Sequence, residues 1–426
     1  MQKLQHYDIK KSLEAKGIFT ENTKFDISKF KPLTSSDLVD ILGLTIKHDE
    51  ENKIATFLCQ LSAFTEDSQF NISFNAPSST GKSYIPTEVA RLFPISDVKL
   101  LAYSSPTAFF HDNGTWDKEK KEYNIDLSRK ILIFLDQPHN DLVARLRPLL
   151  SHDDKKITHK ITDKTQKYGL KTKTINILGY PAVIFCSAGM IIDEQEATRF
   201  LLLSPNINQE KIRAGIEETI KKEIDHDNYS KWLEEKPERI LLKERILAIK
   251  HERIKYIKIT NEYEIKEKFL STKILLKPRH QRDIKRIISL IKSFALLNLW
   301  FRDKDGSTIT ANDDDIHEAF ALWNKISVSQ ELNLPPYIYE IYEKLILPAY
   351  QEKFCKTKLG ITRQDIMKKH YQVYNNLIDD AKLRQQILPM LETAGLIIQE
   401  KNDLSDKRKI FIYPQTKNSE SGGGVK

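Results

Sequence analysis

Eight residues carry the sharpest chemistry in the chain: Ala76-Pro77-Ser78-Ser79-Thr80-Gly81-Lys82-Ser83. They follow a β-type run, FNISFNA (70–76), and precede a segment of helical pattern, the setting that a phosphate-binding loop requires. In such a loop, backbone N–H groups and a helix start cradle phosphate oxygens. Pro77, Ser78, Ser79, Thr80 and Gly81 would form the cradle, Lys82 would reach the β- and γ-phosphates, and the Ser83 hydroxyl would ligate Mg2+. The motif therefore predicts ATP with Mg2+. Ala76 stands where such loops open on glycine, a mild change if residue 76 keeps ordinary strand-end dihedrals.

Further positions could complete that chemistry. The apolar run ILIFL ends in Asp136, which puts a carboxylate at a strand tip, where it would hold Mg2+ through water. Next comes Gln137, which is no base but can orient an attacking water. Slow hydrolysis, or help from Asp153, Asp154 or Glu194, are the two readings that a glutamine leaves open. PAVIFCSA (181–188) predicts another buried strand, with Ser187 at its end as the candidate to touch a γ-phosphate. Arg199 follows shortly after and could stabilise transition-state charge on a neighbouring subunit's nucleotide. Each has a plainer reading as well: a strand-end turn residue, a satisfied buried serine, a surface ion-pair arginine.

The elements that must position these groups follow from composition and pattern. With 426 residues the chain has room for about three domains. Hydrophobic residues at 40% and charged ones at 30% allow buried cores and exclude a wholly disordered chain. No apolar run reaches the roughly 18 residues of a membrane span, so no membrane association is expected. MQKLQHYDIK lacks an apolar stretch of signal-peptide type. Cys59, Cys186 and Cys355 are too scattered for a disulfide framework or a zinc cluster, so a reducing cytoplasm is the expected setting. A net charge of +8 permits a polyanionic partner without proving one.

Residues 1–66 read as a helical N-terminal region and 67–205 as an α/β core whose continuous apolar runs suit buried parallel strands. Residues 206–330 read as helical and heavily charged, and 331–416 as a winged helix-turn-helix, helices followed by two strands around NDLSDKRK. Pro389 should kink or shorten the recognition helix. The tail 417–426 is expected to be disordered.

APSSTGKS, LDQ, FCSA, ATRF and RDIKRIISLIKSFALL, in that order over roughly 67–330, resemble AAA+ ATPases. More narrowly, they resemble the minichromosome-maintenance (MCM) helicases and their relatives on mobile genetic elements. The resemblance implies an α/β P-loop NTPase core of AAA+ type with a helical lid and a C-terminal winged helix. It implies a homo-hexameric ring that hydrolyses ATP to unwind or translocate along DNA in the element's replication, with a primase or polymerase as possible partner. Arg282 matches the family's sensor-2 arginine, and ATRF its arginine-finger motif. Residues 149–177 lie where the family carries a pore hairpin that touches DNA, and SSPTAFF (104–110) where it has a serine-rich segment. Ala76, Gln137 and Ser187 depart from the family pattern. The alternative is an initiator, loader or transposition regulator that uses ATP as an assembly switch without unwinding.

Lysines recur through 149–177, and at a hairpin tip they would make sequence-blind phosphate contacts. Lys160, Lys164 and Lys167 are the candidates, the last two nearest a turn-like DKTQKYG. In the terminal unit Lys382 and Arg384 lie early in the expected recognition helix and Arg408 on the wing, where a duplex could dock. The histidines show no metal-ligand spacing.

Overall fold

A computed structural model describes residues 25–102, 114–136, 138, 140–163, 171–187, 198–271, 273, 275–357, 359–401 and 410–415; for 161–163, 171, 356 and 357 it describes the backbone alone. The chain divides into two compact units, the first ending at Ile326 and the second running from Ser327.

The strands of the first unit are, in chain order, β1 (Asn71–Asn75), β2 (Val98–Leu101), β3 (Thr115–Asp117), β4 (Glu122–Asp126), β5 (Ile131–Phe134), β6 (Lys156–Asp163), β7 (Lys171–Leu178), β8 (Ala182–Ser187), β9 (Phe200–Leu203), β10 (Tyr256–Ile259), β11 (Lys304–Asp305) and β12 (Thr308–Ala311). Five of them form a parallel sheet in the order β2-β5-β8-β1-β9. Much of it is built from runs with no polar face: ILIF in β5 and AVIFCS in β8, both inside the sheet, and FLLL in β9, at its other edge, are buried at every residue. Such runs suit strands covered on both faces. β2, at one edge, is only half-buried.

The helices of this unit are α1 (Ser35–Gly43), α2 (Glu50–Ser62), α3 (Tyr84–Ala90), α4 (Asn140–Leu150), α5 (Gln209–Ile224), α6 (His226–Glu234), α7 (Pro237–Glu252), α8 (Glu262–Leu270), α9 (His280–Leu297) and α10, which starts at Asp313. Thr34 and Asp37 close a reciprocal capping box at the start of α1. α2 is buried on all sides from Asn52 to Ser62, as a helix in the middle of a large core must be. One continuous apolar core runs from Leu33 through the sheet to Ile326. Residues 25–66 therefore belong to the body of the unit rather than to a separate region. The stretch 206–330, expected to be helical, also carries the three-stranded sheet β10-β12-β11. Those strands are two to four residues long, too short to leave a period in the sequence.

A second sheet, in the order β3-β4-β7-β6, grows out of the first. β4 leads through Leu127–Lys130 straight into β5, and β7 leads through Gly179–Pro181 straight into β8. Both pairs are parallel neighbours, β4 with β7 and β5 with β8. The four-stranded sheet thus continues two core strands beyond their N-terminal ends. Gly179 holds the bend: its φ is +81°, and a Cβ there would stand 2.6 Å from the Ser128 backbone nitrogen. No side chain fits that corner.

In the second unit, helical segments run over Pro336–Thr357, Arg363–Tyr374 and Asp380–Thr393, followed by an antiparallel pair, β13 (Ile397–Lys401) and β14 (Ile410–Pro414). Ile361 adds an isolated bridge to Ile412. Pro389 does not end its helix. A π-helical turn at Leu383–Ile387 widens the coil just before it, and the helix continues to Thr393. The wider turn makes room for a ring that has no N–H to give. Pro348 likewise follows a π-turn, at Tyr342–Ile346.

Candidate functional site

The loop after β1 leaves the sheet at Ala76, whose backbone N–H donates to the Ser187 carbonyl of β8 at 3.3 Å. Ala76 is not among the residues with positive φ, so glycine is not needed there. Two left-handed residues shape the loop instead, Ser79 with φ +65° and Gly81 with φ +96°. Alternation of left- and right-handed backbone turns successive N–H groups towards one point, as an anion nest requires. The Thr80 hydroxyl donates to the Pro77 carbonyl at 2.9 Å, and Lys82 folds back to the same oxygen at 3.5 Å. Beneath the loop, the Cys186 thiol donates to the Lys82 carbonyl at 3.3 Å. Burial pushes that thiol up to about 12, so it stays protonated and supports the loop as a neutral donor.

β1, β8 and β5 bring three groups to one level. Asn75 pairs with Ser187, and Phe134 pairs with Phe185. Asp136, two residues past Phe134, therefore stands level with Ser187, one strand further from the loop. Strands lie about 4.8 Å apart, so Asp136 is roughly 10 Å across the sheet edge from the end of β1. Lys82 and Asp136 both act electrostatically on the Cys186 thiol that lies between their strands. The Asp136 side chain is exposed and Ser187 is buried.

A cavity of about 530 Å³ opens beside the loop at Ser79, Thr80 and Gly81; isoleucines such as Ile46 and Ile212 line it together with charged groups such as Lys47 and Glu218. Tyr84 donates to the Thr45 carbonyl at 2.9 Å across its rim. Lys211 of α5 donates to the Thr80 carbonyl at 3.1 Å and forms an ion pair with Asp49. Asp49 is fully buried at the start of α2 and also accepts from Asn52 at 2.9 Å and from the Asn206 backbone at 2.8 Å. Sequence reasoning missed Lys211 and Asp49. Each sits in a charged helical stretch that looks like solvated surface, and only the fold joins them across 162 residues of chain.

Arg199 lies at the other end of the strands. It precedes Phe200, which pairs with Asn71 at the start of β1, so it occupies the N-terminal edge of the sheet while the loop occupies the C-terminal edge. Its Nε donates to the Ser151 hydroxyl at 2.7 Å. Arg282 joins it there by donating to the Thr198 hydroxyl. Asp283 sits between Arg279 at 3.1 Å and Arg286 at 2.8 Å. Burial lowers the Arg286 guanidinium to about 10, and Asp283 beside it works in the opposite direction.

Lys160 is exposed on β6, on the face that also carries Lys156 and Thr158. On that face Asn176 accepts from Thr158 at 2.9 Å and donates to Glu122 at 2.7 Å and to Asn124 at 2.9 Å. The network ties the β6–β7 hairpin to β4. Lys382 is half-buried, which lowers its ammonium, and Arg384 is exposed. Gln137, Lys164, Lys167 and Arg408 lie outside the described residues, as do Glu194 and SSPTAFF. Among the described residues no group of three or more His, Cys, Asp or Glu could hold a metal, and no helix is long and apolar enough to cross a membrane. No family model matches the chain, and no curated protein matches its sequence.

Proposed function

We propose that the chain is a P-loop ATPase of AAA+ type that works as a ring-forming DNA helicase or translocase. The observation that carries this reading is the alignment of the loop strand, Ser187 and Asp136 at one level on three adjacent parallel strands. That edge suits a nucleoside triphosphate: the loop for the phosphates and the isoleucine-lined part of the cavity beside it for the base. Lys82 would neutralise the β/γ-phosphates. Ser83 and Asp136 would hold Mg2+, which when bound neutralises charge on the phosphates. Gln137 would orient the attacking water, and Ser187 would face the γ-phosphate.

The opposite placement of Arg199 supports action between copies. An arginine at the N-terminal edge cannot reach a nucleotide at the C-terminal edge of the same sheet, about 17 Å away along a five-residue strand. A second copy can receive it. Arg282, held beside Arg199, would travel to the same neighbouring site. Four strands then connect the two ends: β5 and β8 carry Asp136 and Ser187 at one end and become β4 and β7 at the other. A change at the γ-phosphate would be passed along them to the hairpins, where Lys160 and the tip lysines Lys164 and Lys167 would touch the DNA backbone. The helices and strand pair of the second unit, with Lys382, Arg384 and Arg408, would serve as a winged helix on duplex DNA.

Purified protein should hydrolyse ATP and displace one strand of a forked duplex. ATP-dependent assembly without displacement would favour the alternative, an ATP-switched initiator or loader. Gln137, in place of the glutamate that many ATPases carry, is what favours that second reading. An absence of ATP binding would overturn both.

A further inference from the structure

The β3–β4 hairpin has no assigned role, and it carries an unusual surface. Trp116 and Tyr123 face each other directly across the two strands, with ring centroids 4.6 Å apart. Trp116 nevertheless leaves 46% of its surface open to solvent. Lys173 of β7 lays its ammonium 3.4 Å from the centre of the Tyr123 ring, a close cation–π contact. Tyr123 is thus held by a neighbour on each strand and supports Trp116 as a fixed, outward platform. On the same face Tyr123 is followed by Ile175, which is fully buried, so the aromatic pair marks where an apolar face opens to water.

The charge around this platform is sorted. The turn between the strands carries Lys118, Glu119, Lys120 and Lys121. Asp117 is used up within the turn, accepting from the backbone of Glu119 at 3.0 Å and of Lys120 at 3.1 Å. Glu122 is committed to Asn176 at 2.7 Å and neighbours Lys156 at 4.0 Å. Among the described residues, Lys118, Lys120 and Lys121 make no ion pair. Asp117 and Glu122 are thus engaged, and the turn beside the aromatic platform keeps three exposed lysines against one exposed acid, Glu119. An exposed flat ring beside unpaired cations suits a ligand with a π-face and a negative backbone, which is an unpaired nucleotide strand. In a duplex the bases are stacked within the helix and their faces are closed to it.

We infer that the β3–β4 hairpin is a second contact for single-stranded nucleic acid, with Trp116 stacking on a base and Lys118, Lys120 and Lys121 holding the flanking phosphates. The inference rests on the nucleic-acid reading above and extends it. β4 pairs with β7 along five residues and the Asn176 network locks them together. The two hairpins therefore grip and move as one four-stranded body, not as a single finger.

A labelled oligo-dT titrated into the full chain tests this by anisotropy, with tryptophan emission followed in parallel. Trp116→Ala should weaken binding roughly tenfold, Trp116→Phe should recover most of it, and the triple change Lys118→Ala, Lys120→Ala, Lys121→Ala should flatten the salt dependence. The wild-type emission should be quenched by the oligonucleotide, and Trp116→Phe should lose most of that quench although Trp232, Trp300 and Trp323 remain. Melting curves check that each variant folds. Wild-type binding with undiminished affinity and undiminished quench in the Trp116 variants overturns this inference alone. If the wild-type chain binds no oligonucleotide, the helicase reading falls with it. Capture of a protein by the hairpin that oligo-dT cannot displace would also overturn it.

Discussion

The two edges of the parallel sheet are made from the same strands and solve opposite problems. At the C-terminal edge the strands stop, and the chain turns sharply through Ser79 and Gly81 to present backbone. At the N-terminal edge two of them do not stop: β5 and β8 continue backwards through short bends into a second sheet whose exposed side chains are long and charged. One edge turns backbone N–H groups outward; the other carries exposed lysines and a tryptophan. On the proposed reading, chemistry at one edge and grip at the other are joined by continuous strand and need no flexible lever. Here β8 spans them in six residues, about 20 Å of hydrogen-bonded strand.

The largest effect should come from the edge proposed to bind the triphosphate. Lys82→Ala should reduce ATP affinity more than 100-fold in calorimetry, because the cation proposed to neutralise the β/γ-phosphates is gone. Oligonucleotide affinity measured without nucleotide should stay within about twofold. If both fall together, the two edges are not separable and the comparison fails.

Next is the bend between them. Gly179→Ala places a methyl against the Ser128 backbone at a left-handed φ, and should cost about 3 kcal/mol in denaturant unfolding. ATP should still bind, but single strands should no longer stimulate its hydrolysis. Retained stimulation in a folded variant would show that the signal does not travel through β7 and β8.

A smaller change should follow from Lys211→Met, which removes the cation that links the loop carbonyl of Thr80 to Asp49. ATP affinity should fall about tenfold, or 1.4 kcal/mol. The melting temperature should fall too, since Asp49 stays buried with two neutral donors. Adding Asp49→Asn should restore the melting temperature without restoring the affinity. Recovery of both would make Lys211 a structural partner only.

What was legible in the sequence follows the same division. ILIF and AVIFCS announced themselves, because strands buried on both faces need nearly continuous apolar side chains, whereas NISFN, which buries Asn71, Ser73 and Asn75, reads only as a short β-type run. The loop was legible because its backbone needs glycine and small residues at fixed spacing. β3, β4 and β9 to β12 were not, being short or half-exposed, with no period to read. Asp49 and Lys211 were hidden for another reason: a buried ion pair between distant helices looks, in sequence, like two surface charges. The alignment of Asn75, Ser187 and Asp136 is a property of strand order, which no local pattern encodes.

The smallest effect separates the edges by pH. His152 follows α4 at the base of the β6–β7 hairpin, with its ring edge-on to Tyr180 at 4.5 Å. Burial lowers its imidazole to about 4; Lys285 pushes the same way, and Asp67 and Asp153 oppose. The folded protein therefore holds this ring neutral where the unfolded chain, titrating near 6.5, would protonate it. Stability from this group is fully present above pH 6.5 and is lost as pH falls towards 4. Between pH 7 and pH 5.5 the loss should be about 1 kcal/mol by linkage. His152→Phe should remove that slope while leaving the rest of the pH profile unchanged. Because the histidine sits under the hairpin, amide exchange at pH 5.5 should rise in β6 and β7 before it rises in β1. Equal rises at both edges would mean that the sheet opens as one unit, and that the hairpin body has no stability of its own to lose.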